Sequence, residues 1–305
     1  SSLSELNLTF KSLNNLNLTG YKQLESVHLQ GDLNSLDVSG LDLLHLGFTD
    51  IYDGPQTNIS SINASNCQKL TELYVYEINL NSLKVNNCEN LTILRCYDNN
   101  LISLDLSGCK NLKSLDCQDN ELSSLNVSSC TLLESLICSN NNLGSLDVSS
   151  CTLLEYLSCH DNNLGSLDIS NCYALTSVYC YNNNISGTID ISNCNSLKRL
   201  ECQNNKISFL KFPDSYYSDG VIKENGYVDS KIVPLEYLDC SYNLILQECP
   251  KWFSFGGIYG VTTHYDVRYE YFYDDKDWET GYVPYEDKGV GWWFSGEPER
   301  RYHRR

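Results

Sequence analysis

LKSLDCQDNELSSLNVSSCTL, residues Leu112–Leu132, is followed at once by LESLICSNNNLGSLDVSSCTL, residues Leu133–Leu153. Leu91–Asn111, Leu154–Ala174 and Leu175–Ser196 repeat the same statement, so that five consecutive segments share L-x-x-L-x-C-x-x-N-x-L-x-x-L-[DN]-[VLI]-S-x-C. Four of them are 21 residues long, and the fifth carries one extra residue near Gly187. A fixed period of this size marks a solenoid, in which each turn buries its apolar face only against its neighbours.

Within each unit, apolar residues fall at positions 1, 4, 6, 11, 14 and 16, so L-x-x-L-x-Φ occurs twice per turn, ten residues apart. This nesting predicts two short parallel strands per turn, near positions 3–7 and 13–17, facing each other across a thin core. So few residues per side leave no room for a helix. Each buried Leu contributes ~1.5–3 kcal/mol. L-x-x-L-x-[LC]-x-x-N is the signature of the leucine-rich repeat.

The pattern extends outward from these units. Leu3–Gln23 carries Leu3, Leu6, Leu8, Leu13, Leu16 and Leu18 in the apolar slots, and Leu24–Gly40 is a shortened unit. A unit opening at Leu41, Leu44 and Leu46 is interrupted by Gly47–Thr57, and Leu70–Asn90 is regular. On the other side, Leu197–Phe212 is interrupted by Pro213–Pro234, and the pattern resumes at Leu235, Leu238, Cys240 and Asn243. The expectation is a predominantly β, right-handed solenoid over residues 1–248, with about eleven turns and insertions near 47–57 and 213–234. At ~4.7–4.9 Å per stacked strand its length is roughly 50 Å. After Cys249-Pro250 aromatics crowd the chain, and His264–Tyr273 alternates with Tyr265, Val267, Tyr269, Tyr271 and Tyr273 on one face. Period-two alternation is a strand signal. Residues 249–305 therefore read as a β-rich C-terminal cap, with a hairpin through Gly289–Gly296.

Three columns face inward. Asn99, Asn120, Asn141, Asn162, Asn183, Asn205 and Asn243 sit at a corner where an amide can bond backbone groups that the bend leaves unpaired. Cys96, Cys117, Cys138, Cys159, Cys180, Cys202 and Cys240 occupy a strand slot, and Cys67, Cys88, Cys109, Cys130, Cys151, Cys172 and Cys194 a corner slot. Stacked neighbours in one column have parallel Cα–Cβ vectors one strand spacing apart, wider than the ~3.5–4.5 Å Cβ separation of a disulfide. They read as buried free thiols used as small hydrophobes. Cys249 stands outside the columns. Asp37, Asp105, Asp147, Asp168 and Asp190, with Ser two residues on, form a broken outward row that suits side-chain bonds to turns as well as calcium.

The chain has 305 residues, 41% of them hydrophobic, and a net charge of −18. That charge argues against a nucleic-acid or anionic membrane partner. No run of about 18 apolar residues is present for a membrane span, and the opening S-S-L-S-E-L is no signal peptide. The five His are scattered, and Cys159 and His160 point to opposite faces of one strand, so no catalytic, cofactor or metal constellation emerges. What varies is the outward surface of the first strand, at positions 3, 5 and 7. Two clusters appear there: Tyr74, Tyr76, Arg95 and Tyr97, then Tyr156, His160, Tyr179, Tyr181 and Arg199, with Tyr237 following. Tyr and Arg are enriched at binding hot spots. This face is the candidate seat of a protein ligand. The alternative is a structural spacer whose cap, through Trp252, Trp278, Trp292 and Trp293, stacks on glycan or displays another domain.

The repeat over Leu3–Leu246 resembles bacterial leucine-rich repeat proteins with a nested 21-residue, IRREKO-type unit, similar to units of exported or surface proteins of gut and oral anaerobes. The resemblance implies an extracellular or cell-surface module for adhesion or protein binding, and no enzyme.

Overall fold

The computed structural model describes residues 3–48, 58–213, 235, 237–240 and 242–244, together with the backbone of 262–264 and 291–293. Two long strands open the chain, β1 (Glu5–Asn17) and β2 (Ser26–Asp37), followed by β3 (His45–Phe48) and β4 (Ile59–Asn63). Three-residue strands then dominate: β5 (Glu72–Tyr74), β6 (Ser82–Lys84), β7 (Ile93–Arg95), β8 (Ser114–Asp116), β9 (Ser135–Ile137), β10 (Tyr156–Ser158) and β11 (Ser177–Tyr179). Beyond them lie β12 (Ser186–Asp190), β13 (Arg199–Glu201), β14 (Lys206–Lys211), β15 (Tyr237–Asp239), β16 (Thr262–His264) and β17 (Gly291–Trp293). The described residues contain no helix, and the architecture is a β-solenoid with parallel sheets.

One sheet is the stack of first strands, in the order β5-β7-β8-β9-β10-β11-β13-β15-β16-β17. It is parallel as far as β16, and β17 joins antiparallel, with Thr263 opposite Trp292. These last two strands extend the sheet past the final repeat. The rest of the expected strand at His264–Tyr273 and of the Gly289–Gly296 hairpin lies outside the described residues, as do Cys249 and the side chains of the four tryptophans. The insertions also lie there for the most part, although Gly47 and Phe48 belong to β3 and still follow the repeat.

The register carries the logic of the repeat. Leu94, Leu115, Leu136, Leu157, Val178, Leu200 and Leu238 are matched in adjacent strands and form one inward column. Their neighbours on either side in sequence lie on the outer face, as strand geometry requires. The strands span positions 3–5, shorter than the expected 3–7, because the chain enters a corner immediately afterwards.

At that corner the residue at position 8 takes the left-handed conformation: Asp98, Asp119, Asn140, Asp161, Asn182 and Asn204 have φ between 51° and 54°. Asp and Asn tolerate that region best among residues with a side chain. The next residue is the buried Asn. Asn141 Nδ2 donates to the carbonyls of Cys117 at 3.0 Å, Cys138 at 3.3 Å and Ser139 at 3.1 Å, while its Oδ1 accepts from Leu122 N at 2.9 Å. Cys117 and Leu122 belong to the preceding turn, so each Asn ties two turns together at the bend.

The second strands are less regular than the first. β4 and β6 pair near one end and β12 and β14 near the other, while in the middle only the bridges Lys84–Asp105 and Asn126–Asp147 remain. Two local causes act. Gly144-Ser145 and Gly165-Ser166 offer little side chain to pair across strands. The Asp at position 15 then ends the extended stretch by accepting from the Ser amide two residues on, as Asp147 does from Ser149 at 2.9 Å and Asp168 from Ser170 at 3.0 Å. Two successive tight turns follow, closed by Cys130 N to Val127 O and Leu133 N to Cys130 O.

The fourteen described cysteines are buried and free. Those at the corner do more than fill space. Cys88 Sγ lies 3.1 Å from Ala64 O and Cys109 Sγ 3.3 Å from Val85 O, so the weak S–H donor reaches a carbonyl of the preceding turn. Burial pushes Cys67, Cys109, Cys159, Cys172 and Cys194 up to about 12 and Cys151 to about 11.

The N-terminal turns depart from the template. β1 and β2 are single ribbons that bend through both faces, and their register shifts between Thr9 and Ser12. The first half of β2 pairs β3 and its second half pairs β4, which divides one ribbon into the two faces. Gly31, at φ 127°, forms the inside of this bend: a Cβ there would lie 2.0 Å from Phe10 O.

Candidate functional site

The outward residues of the first-strand sheet form one continuous face, and adjacent turns bring the sequence-selected side chains into contact. In the first cluster the register sets Tyr74 beside Arg95, whose guanidinium carbon lies 5.6 Å from the Tyr74 ring centre. Two residues on, the Tyr76 and Tyr97 rings stack with centres 4.6 Å apart and planes within 5°. In the second cluster His160 stacks on Tyr181 at 4.2 Å and 8°, and Tyr156 tilts against Tyr179 at 5.5 Å. Arg199 covers the Tyr237 ring at 4.2 Å, a cation–π contact between β13 and β15. All ten candidate residues therefore take part in a ring or cation–ring pair.

The clusters do not touch one another. β7 and β10 are separated by β8 and β9, three strand steps or roughly 15 Å. The intervening surface is low: Ser139 and Ser158 are buried, and Asp116, Gln118 and Ile137 are half-buried. Ser139 Oγ donates to Gln118 Oε1 at 3.3 Å. The face is thus two aromatic ridges with a small-residue saddle between them.

Acidic partners complete both ridges. Tyr74 Oη donates to Glu72 Oε2 at 2.9 Å, Arg199 Nη1 to Glu201 Oε1 at 2.7 Å, and His160 Nδ1 lies 2.7 Å from Asp161 Oδ2. Residue type alone does not single out these three carboxylates. Glu72 and Glu201 stand two residues from their partners, on the same face of the same strand, so strand periodicity alone contains the signal. Asp161 is the left-handed corner residue, and only the bend places it against His160.

Electrostatics keep the rings as hydrogen-bond donors. Burial raises the Tyr97, Tyr156, Tyr181 and Tyr237 hydroxyls above the usual phenol value, and nearby acids add to the effect. Tyr74 rises through burial and then through its bond to Glu72. Arg199 is raised by Glu201. In the saddle, burial raises the Asp116 carboxyl. A ligand on this face meets these five phenols in their neutral form, each with an apolar body and a polar tip.

Cys159 is fully buried while His160 stacks outside, so the two share no site. The Asp carboxylates at position 15 are engaged by their own turns, and Asp190 also accepts from Lys211 Nζ at 2.7 Å. A hollow of about 460 Å³ lies along the flank leading into the first strand, lined by Lys69, Thr71, Thr92, Lys113 and Leu132 among others, and it includes none of the aromatic ridge residues. Among the described residues no helix is long and apolar enough to cross a membrane.

No protein-family model matches the chain, and no curated protein matches it by sequence. Solved structures do match. The functional domain of InlJ from Listeria monocytogenes, which includes a cysteine ladder, aligns over 85% of this chain and 67% of its own, with 22% identity and a TM-score of 0.53. A chain of the Toll–Spatzle complex, from Drosophila, aligns over 80% of this chain and 38% of its own, with 19% identity and a TM-score of 0.51. A leucine-rich repeat protein of Leptospira interrogans aligns over 79% of this chain and 78% of its own, with 15% identity and a TM-score of 0.49. The shared feature is the fold, a leucine-rich repeat solenoid.

Proposed function

We propose that this leucine-rich repeat solenoid is a non-enzymatic protein-binding module whose ligand lies across the first-strand face. The observation that carries the reading is the pairing of its outward side chains. Leu, Cys and Asn columns repeat from turn to turn, whereas Tyr, His and Arg occur on particular turns and meet there as stacked pairs. Each ring is held by a neighbour before any ligand arrives, which lowers the entropy lost on binding. Tyr and Arg in such settings are frequent hot-spot residues. The parallel with a chain seen in the Toll–Spatzle complex supports a protein partner. The nested 21-residue unit of this chain, together with its likeness in fold to a bacterial protein, the InlJ functional domain, favours a bacterial surface or secreted protein that serves in adhesion.

A random-peptide display library panned against the intact chain tests the face. Peptides selected on the wild type should bind Y179A/Y181A at least about tenfold more weakly, the loss of one hot-spot contact. A K110A variant, altered outside this face, should bind them unchanged. Selected peptides that hold equally well to Y179A/Y181A would show that the ligand sits elsewhere.

A further inference from the structure

The strand-slot cysteines stand in one straight file. Cys96 N donates to Asp116 O, Cys117 N to Ile137 O and Cys138 N to Ser158 O, each at 2.8 Å, and the same bond recurs at Cys159, Cys180 and Cys202. These identical steps, which run from Cys96 to Cys240, hold the Cα–Cβ vectors parallel, one strand spacing of ~4.7–4.9 Å apart. That spacing is too wide for a disulfide. It suits another arrangement: a metal–thiolate bond is ~2.3 Å long, so two in line span ~4.6 Å.

Three observations set this file apart from ordinary packing. Val75 fills the same slot in the turn before Cys96, is likewise buried and makes the same backbone bond to Arg95 O, so the core does not need sulfur there. The corner thiols are engaged, with Cys88, Cys109 and Cys172 Sγ directed at carbonyls of earlier turns. The sulfurs from Cys96 to Cys202, by contrast, have no hydrogen-bond partner among the described residues. Burial raises these thiols, and the next sulfur in the file adds to the effect, so successive sulfurs lie within electrostatic reach of one another.

We propose that the strand-slot column binds copper(I), one ion in each gap between successive sulfurs. Among the described residues no three metal-binding groups converge on one point, whereas zinc takes four ligands. Each gap offers two soft donors on a line, and thiolate selects copper(I) over harder ions. Charge points the same way. Each Cu+ that enters displaces one thiol proton, bonds the sulfur that lost it, and takes a lone pair of the next sulfur as its second ligand. Seven thiols leave six gaps, so six ions, six thiolates and one remaining thiol make a neutral run, as an apolar core requires. A divalent ion in every gap would leave net charge there. Copper stays Cu+ throughout, and no electron is transferred. Ligands a whole turn apart carry no metal motif in sequence; the stack of turns lines them up.

Anaerobic titration of the intact chain with the copper(I) acetonitrile complex tests this. Bound metal is counted after gel filtration, and proton release is followed in weak buffer. About six ions per chain are expected, each releasing one proton, with the circular dichroism of the fold retained. C138V interrupts the file and removes two gaps, so it should hold about four ions. C96V, at the end of the file, removes one gap and should hold about five. C130V, in the corner column, should hold as many as the wild type. Val75 shows that Val fits the strand slot, and circular dichroism before loading checks that each variant keeps its fold. A wild type that takes up no copper, or uptake that unfolds the chain, would overturn the proposal. So would equal losses from C138V and C96V, the result for independent thiols, or a loss from C130V.

Discussion

The smallest unit that holds two turns together is one amide side chain. Asn141 satisfies three carbonyls and one N–H that lie at a bend, away from water. Asn141→Ala orphans the Leu122 N–H, while each carbonyl keeps one other donor: Asn120 Nδ2 on Cys117 O, Asn162 Nδ2 on Cys138 O and Asp119 N on Ser139 O. A loss of about 2 kcal/mol is expected, within the cost of an unsatisfied buried group, read as a lower midpoint in urea unfolding. Asn141→Asp, which keeps the acceptor but loses the donors, should be destabilised as well; a wild-type midpoint for both would refute this account of the column. The role of this Asn is legible in the sequence because the residue recurs in every unit from Leu91 onward and its chemistry has one use at a corner. The Asp/Asn position beside it was equally regular yet passed unread. Its contribution is a backbone angle, φ near 52°, and a backbone angle leaves no trace in hydropathy. The acids Glu72 and Glu201 are hidden for another reason: their signal is the two-residue spacing that puts them on the same face, not the residue type.

Among elements, the bends decide more than the strands. At Gly31 both the dihedral and the space exclude a side chain, and Gly31→Ala should cost at least about 2 kcal/mol through forced strain. Gly144 and Gly165 share neither constraint: a Cβ added at either has nothing within 4 Å. G144A should therefore be neutral or slightly stabilising, since Ala restricts the unfolded chain more than Gly does. Thermal unfolding of G31A beside G144A checks the pair; equal melting temperatures would mean that the bend is not fixed as described. The first-strand stack was legible from the doubled L-x-x-L-x-Φ, because period-two burial is a direct consequence of strand geometry. The second stack came out thinner than that pattern implies. Identical apolar slots at positions 11, 14 and 16 specify burial, but Gly and Ser between them and the Asp-capped turn after them set how long the chain stays extended. The long β1 and β2 ribbons were not legible either, since the shifted pairing depends on a glycine two strands would otherwise not need.

At the scale of the whole molecule the thiol columns link stability to pH. A thiol that is neutral in the fold but ionises near pH 8.5 when exposed gives stability that is complete below that pH. It is lost as pH rises toward the folded values of about 11 to 12. Each such group tilts the balance by roughly 1.4 kcal/mol per pH unit, so several together exhaust a typical stability of about 5–15 kcal/mol. Cooperative unfolding between about pH 9.5 and 11 is expected by circular dichroism, and Cys→Val at Cys96, Cys117 and Cys138 should move the midpoint upward. A fold that persists unchanged to pH 11 would contradict the burial of these groups. The same uniformity poses a problem of addressing. Leu112–Leu132 and Leu133–Leu153 are nearly interchangeable, so a chain that slipped by one whole turn during assembly would still fill every core slot there. Two places refuse the slip: the register shift between Thr9 and Ser12 against β2, and the one between Gly187 and Thr188 against β14. They bracket the uniform turns like the keyed ends of a connector. Each accepts one neighbour and no other, and so fixes which of many equivalent turns is which.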